Sequence, residues 1–94
     1  MPSIIVKHTV QDFPKWKTAF DEHAEARKAG GCLGGRLFQD AKDPNSLTVV
    51  MHWDSLQNAQ GFLESSALRE AMEKAGVTSQ PQIQFLNDAG QFSA

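Results

Sequence analysis

The sequence has a single cysteine, Cys32, in 94 residues. An internal disulfide is therefore impossible, and the multi-cysteine zinc patterns are absent. There is no excess of basic residues: nine Lys and Arg stand against 11 Asp and Glu, for a formal net charge of -2. Without a basic footprint, nucleic acid is not expected as a partner. No apolar run approaches the roughly 20 residues of a membrane-spanning helix, so no membrane partner is expected either. The start, Met1-Pro2-Ser3-Ile4, has no charged segment ahead of its apolar run, so no secretory signal is expected. Together with a free thiol, this predicts a cytoplasmic protein. Gly30-Gly31 and Gly34-Gly35 match neither phosphate-binding glycine fingerprint, and no serine-nucleophile pattern is present.

What is there is enough for one domain, residues 1–94. A chain of this length buries only roughly 60–70% of its unfolded surface, so its core is thin. With no staple available, association with a second copy is the common remedy.

The hydrophobic pattern divides the chain cleanly. Residues 3–10 are rich in β-branched side chains and predict a strand, with Ile4, Val6, His8 and Val10 on one face and Ile5, Lys7 and Thr9 on the other. Asp12 is a suitable N-cap for one long helix ending at Gly30-Gly31. Phe13, Trp16, Phe20, Ala24 and Arg27 recur on its inner stripe, and His23 falls in the same sector. Leu33 to Asp40 predicts a second strand, in which two glycines suggest a bulge or a close approach. Ser46 to Trp53 predicts a third, with Leu47, Val49, Met51 and Trp53 facing one way. A second helical region starts at Asp54 or Ser55, carries Leu56, Ala59, Phe62 and Leu63, and is interrupted at Ser65-Ser66. It resumes with Leu68, Ala71, Met72 and Ala75 and ends at Gly76. Gln82 to Asn87 predicts the last strand.

This order predicts an α+β, ferredoxin-like βαββαβ fold: a four-stranded antiparallel sheet with the helices on one face and the third strand beside the first. The other sheet face would carry Ile5, Thr9, Val50 and Leu86, too apolar to remain in water as a continuous surface. Packing it on the same face of a second copy gives a homodimer.

The stretches Val6-Lys7-His8-Thr9-Val10, Asp12-Phe13-Pro14-Lys15-Trp16-Lys17 with Phe20, and Val49-Val50-Met51-His52-Trp53-Asp54-Ser55, continued by Ala59, Phe62 and Ser65 to Met72, resemble the antibiotic-biosynthesis-monooxygenase-like superfamily of dimeric α/β barrels. The resemblance covers nearly the whole chain. It implies a pocket between sheet and helices in each subunit. It specifies activity poorly, because the superfamily mixes cofactor-free oxygenases, haem-degrading enzymes, isomerases and proteins of unknown role. It implies that His8 stands where haem-degrading members place a catalytic asparagine and Trp53 where they place a pocket tryptophan. Their haem-ligating histidine corresponds to about Met72. A thioether is a poor sole proximal ligand for oxygen activation, which counts against haem.

His8 interrupts an apolar strand face and has two readings: a core histidine satisfied by one hydrogen bond, or a catalytic base with an ordinary pKa suited to neutral pH. His23 and Arg27, one helical turn apart, either pack at the core edge or clamp an anionic ligand. Trp16, Phe20, Trp53, Phe62 and Met72 are expected apolar core and, in a fold with a helix–sheet cavity, candidate substrate-binding walls. Strand alternation puts His52 opposite His8, which argues against a three-histidine metal site. No metal and no cofactor is expected. Two functions from different classes follow. One is a cofactor-independent monooxygenase, or related enzyme, acting on an enolisable aromatic or polyketide-like molecule. The other is a non-catalytic small-ligand-binding or assembly module on the same dimer.

Overall fold

The computed structural model describes residues 2–94. Met1, part of the N-terminal stretch in which no secretory signal is expected, lies outside the described residues. The elements in chain order are β1 (Pro2–Thr9), α1 (Phe13–Glu22), α2 (Ala24–Gly30), β2 (Cys32–Gln39), β3 (Ser46–Trp53), α3 (Leu56–Leu63), α4 (Ser66–Lys74) and β4 (Gln82–Asn87). The four strands form one sheet in the order β2-β3-β1-β4, with every neighbouring pair antiparallel. This is the predicted ferredoxin-like α+β arrangement.

The period of two in β1 decides which side chains meet the helices. Ile4 pairs with Met51, Val6 with Val49 and His8 with Leu47, so all six project from the same sheet face. Each is buried: Ile4 and Leu47 are at most 1% exposed and Met51 is 7% exposed. Trp53 continues this row on β3, and Val10, Trp16, Ala59 and Ala75 close the core from above. The opposite face carries Ile5, Thr9, Val50 and Leu86, all half-buried, beside exposed Lys7, His52 and Arg36. Arg36 is placed on that face by its pairing with Val50. Asp40 lies beyond the strand and holds the following turn, accepting from the backbone N–H groups of Lys42 and Asp43.

Local chemistry explains the boundaries. Asp12, Ser55 and Ser65 each accept a hydrogen bond from a backbone N–H three residues on, capping α1, α3 and α4. The expected long helix between Asp12 and Gly30 is instead two pieces. At His23 the backbone leaves helical geometry (φ -91, ψ 8), and Nη1 of Arg27 donates to the Phe20 carbonyl at 2.7 Å. In an unbroken helix that carbonyl would accept from the N–H of Ala24; here it accepts from the guanidinium and, at 3.2 Å, from the His23 N–H. Three apolar positions stay out of the core. Leu56, the first residue of α3, is 40% exposed, and Ile83 and Phe85 are exposed by about two-fifths, although β4 turns them to the helix side.

The glycines of β2 serve both expected purposes. The strand is irregular between Cys32 and Gly34. A Cβ built on Gly35 would stand 1.8 Å from the Val50 carbonyl oxygen, against backbone that has no room to move. Gly61, inside α3, has open space where a methyl group would sit, with no atom within 4 Å. Gly35→Ala is therefore expected to destabilise the protein by about 3 kcal/mol or more through displaced backbone, and Gly61→Ala to stabilise it by roughly 0.5–1 kcal/mol. Chemical denaturation of both variants checks the sign and size of each effect.

Candidate active site

Because β1 alternates, the ring of His8 lies beneath the helices among apolar side chains. It is 6% exposed, and its centroid is 5.6 Å from that of Trp16, with the rings tilted by 55°. Neither ring nitrogen has a hydrogen-bond partner within the protein. Buried polar groups are nearly always paired, so two free ring nitrogens on one side chain call for an explanation. Burial alone pushes the His8 pKa below its ordinary value of 6.5, since the charged imidazolium is the form that suffers from desolvation. The ring is therefore neutral at physiological pH.

His8 faces a small cavity of about 60 Å³ between the sheet and the helices. Val6, Val49 and Met51 form its floor. Sequence periodicity marks these three as core, and strand parity alone places them beside His8. Trp16, Phe20, His23, Arg27, Phe62 and Met72 line it from the helices, as do Leu68 and Ala71. Trp53 is the exception among the expected wall residues. It is fully buried and stands behind Phe62, with ring centroids 5.1 Å apart, so Phe62 screens it from the cavity.

The aromatic lining is ordered by stacking. Trp16 lies 4.7 Å from Phe20 at an interplanar angle of 21°, and the Arg27 guanidinium carbon sits 3.7 Å above the Phe20 ring. Burial lowers the Arg27 pKa, while the nearby Cys32 and Asp21 oppose that change. On the same wall His23 tilts against Phe62 at 6.0 Å, and its buried Nε2 also has no protein partner. The site thus presents one imidazole from the sheet, another from the helix break, a cation at the edge and apolar surface elsewhere. That arrangement can accept a proton at His8 and hold developing negative charge near His23 and Arg27.

Other chemistry-bearing residues lie elsewhere. His52 is on the opposite sheet face, where its Nδ1 pairs with the Ser3 hydroxyl at 2.8 Å. Cys32 is half-buried, and its Sγ is 3.9 Å from the Gly34 carbonyl, with no base beside it. Among the described residues, no three His, Cys, Asp or Glu side chains converge in a way that could hold a metal ion, and no helix is long and apolar enough to cross a membrane.

Residues 12–74 match the sequence model of the family described as antibiotic biosynthesis monooxygenase. No curated protein matches the chain. Among solved structures, a Bordetella bronchiseptica protein provisionally assigned as an antibiotic biosynthesis monooxygenase superposes with a TM-score of 0.79 at 18% identity, over 94% of this chain and 96% of its own. SnoaB, a cofactor-independent oxygenase from Streptomyces nogalater, superposes with a TM-score of 0.79 at 12% identity, over 99% of this chain and 97% of its own. A conserved protein from Methanosarcina mazei Go1 gives a TM-score of 0.71 at 14% identity, over 90% of this chain and 89% of its own. At these identities the likeness is one of fold.

The unpartnered His8 ring sets a pH dependence. Its folded pKa lies below the unfolded value of 6.5, so the unfolded state binds the proton more readily. The stability that comes from burying the neutral ring is complete above pH 6.5 and falls as the pH drops through the window beneath it. His8→Leu removes the titrating group and fills the site with apolar atoms. It should unfold at an equal or higher temperature than wild type near neutrality and lose less stability on acidification to about pH 5. Thermal melts across that range give both quantities.

Proposed function

The chain belongs to the antibiotic biosynthesis monooxygenase family, and we propose that it is a cofactor-independent monooxygenase acting on an enolisable aromatic or polyketide-like small molecule. The observation that carries this reading is His8, a buried imidazole with two unpartnered ring nitrogens on an otherwise apolar cavity wall. The reaction class is that of SnoaB, whose fold this chain shares.

In this reading neutral His8 takes a proton from an activated carbon of the substrate. A pKa lowered by burial makes His8 a weak base, so the substrate carbon must itself be acidic, with its carbanion spread into an aromatic or enolate system. Arg27 and the Nε2 of His23 lie on the same cavity and would hold the charge that appears on oxygen. The carbanion then passes electrons to dioxygen. A carbon–oxygen bond forms, the O–O bond breaks with loss of the second hydrogen on that carbon, and water leaves with the proton that His8 returns. A methylene group becomes a carbonyl while dioxygen is reduced to that carbonyl oxygen and one water. The substrate supplies all four electrons, so the balance needs no separate reductant.

The expected result is oxygen uptake with enolisable phenols and quinols, measured by an oxygen electrode with mass-spectrometric detection of product. His8→Ala should lower the rate by about 10²–10⁴ and remove the limb of the pH–rate profile that belongs to the histidine. An unchanged rate in that variant rejects the base role. Ligand-induced melting shifts without turnover would instead favour a binding module on the same fold.

We also propose that the functional unit is a homodimer joined through the open sheet face. Ile5, Val50 and Leu86 give that face an apolar centre, and a domain of this size gains core by association. Light scattering at micromolar concentration should give a dimeric mass. Val50→Asp would bury an unpaired carboxylate at the interface and should dissociate or unfold the protein. A monomeric mass for the wild type rejects the dimer.

A further inference from the structure

The cavity at His8 can take no more than the reacting head of the molecule the reading requires. Its volume is about 60 Å³. Sites for small organic ligands typically run from ~300 to ~1,000 Å³. Directly outside it, between α1 and α4, lies a groove of about 300 Å³ walled by Glu22, Ala67, Glu70 and Lys74. Ala19, His23 and Ala71 line both spaces. Of these three side chains only His23 extends beyond Cβ, so its imidazole is the one ring that borders both spaces. Its Nε2 has no protein partner, and it sits at the α1–α2 break, where the backbone is already out of helical geometry. On the other side of the passage α4 contributes no buried residue between Ser66 and Lys74.

We infer that the cavity and the groove are one elongated binding slot with His8 at its floor and His23 as its internal door, and that the slot takes a molecule with a phenolic or enolisable head and a cationic or neutral polar tail. The inference rests on the reading of the His8 cavity as a substrate site and adds the part of the substrate that does not react. The ends of the slot differ in charge. Arg27 stands at the inner end, where the head becomes negative. Glu22 and Glu70 outnumber Lys74 at the outer end, which favours a positive tail over a carboxylate. Those outer groups are solvated and screened, so they bias tail chemistry modestly. The methyl groups of Ala19, Ala67 and Ala71 set the width, and larger side chains there would exclude the tail. Ala67 borders the groove and not the cavity, and it is exposed. Blocking the outer half through Ala67 therefore leaves His8 and its surroundings intact.

The test is an NMR titration of the full chain with phenol, tyramine and hydroxyphenylpropionate, which share a head and differ in tail. Wild type should bind tyramine more tightly than hydroxyphenylpropionate, with shifts at the His8 ring and at the amides of Glu70, Ala71 and Lys74. Ala67→Phe should weaken tyramine by about tenfold or more while leaving phenol unchanged. Glu70→Gln should narrow the preference for tyramine over hydroxyphenylpropionate. If phenol moves the His8 ring but tyramine binds wild type and Ala67→Phe equally, the slot is rejected and the His8 cavity stands. If none of the three moves the His8 ring, the cavity reading fails and the slot fails with it.

Discussion

The alternation of β1 is the constraint on which the other features depend. A single strand at the centre of the sheet sends Ile4, Val6 and His8 to the helices and Ile5, Lys7 and Thr9 to the open face. A one-residue slip in its pairing with β3 would exchange those sets. Such a slip would expose the residues that pack beneath Trp16 and would bury Lys7. The burial of the core and the placement of one imidazole among apolar groups are thus a single decision of register. His8 is held at its site by the same apolar face that makes its charged form costly.

The helical layer works differently. Its two pieces before β2 are joined at His23, where the Arg27 guanidinium takes the Phe20 carbonyl and at the same time covers the Phe20 ring. One side chain therefore closes the broken backbone, orders the aromatic wall and keeps a positive charge beside the cavity. The break also presents His23 to the space between α1 and α4. On the far side, α4 is capped by Ser65 and ended at Gly76, yet none of its residues is fully buried. The layer over the cavity is anchored at its ends, and α4 is lightly packed along its length.

Much of the fold was legible from residue pattern. β3 and β4 were predicted to the residue, the Ser65 interruption was visible as a serine pair inside an apolar stripe, and the glycines of β2 announced a bulge and a close approach. Each of these signals is local: the period of two, a capping hydroxyl, the lack of a Cβ. The break at His23 was not legible, because nothing in the intrinsic preferences of Asp21 to Ala24 stops a helix. It is sustained by a guanidinium arriving from seven residues away along the chain. Trp53 stands off the cavity lining for a related reason. Parity put it on the correct sheet face, but whether it meets the cavity depends on Phe62, a residue of another element that lies in front of it.

By itself, then, the sequence determined the elements, the face of the sheet to which each strand residue belongs, and the presence of His8 on the buried side. These follow from covalent geometry and from the free energy of removing apolar side chains from water, both of which act along the chain. Only the tertiary structure decided that the ring nitrogens of His8 lack protein partners, that Phe62 and not Trp53 forms the wall, and that the space at His8 is small and shares His23 with a larger groove. Those properties belong to the gaps between elements. Their dimensions are set by how side chains from different elements interlock, and no periodicity in a single segment records that.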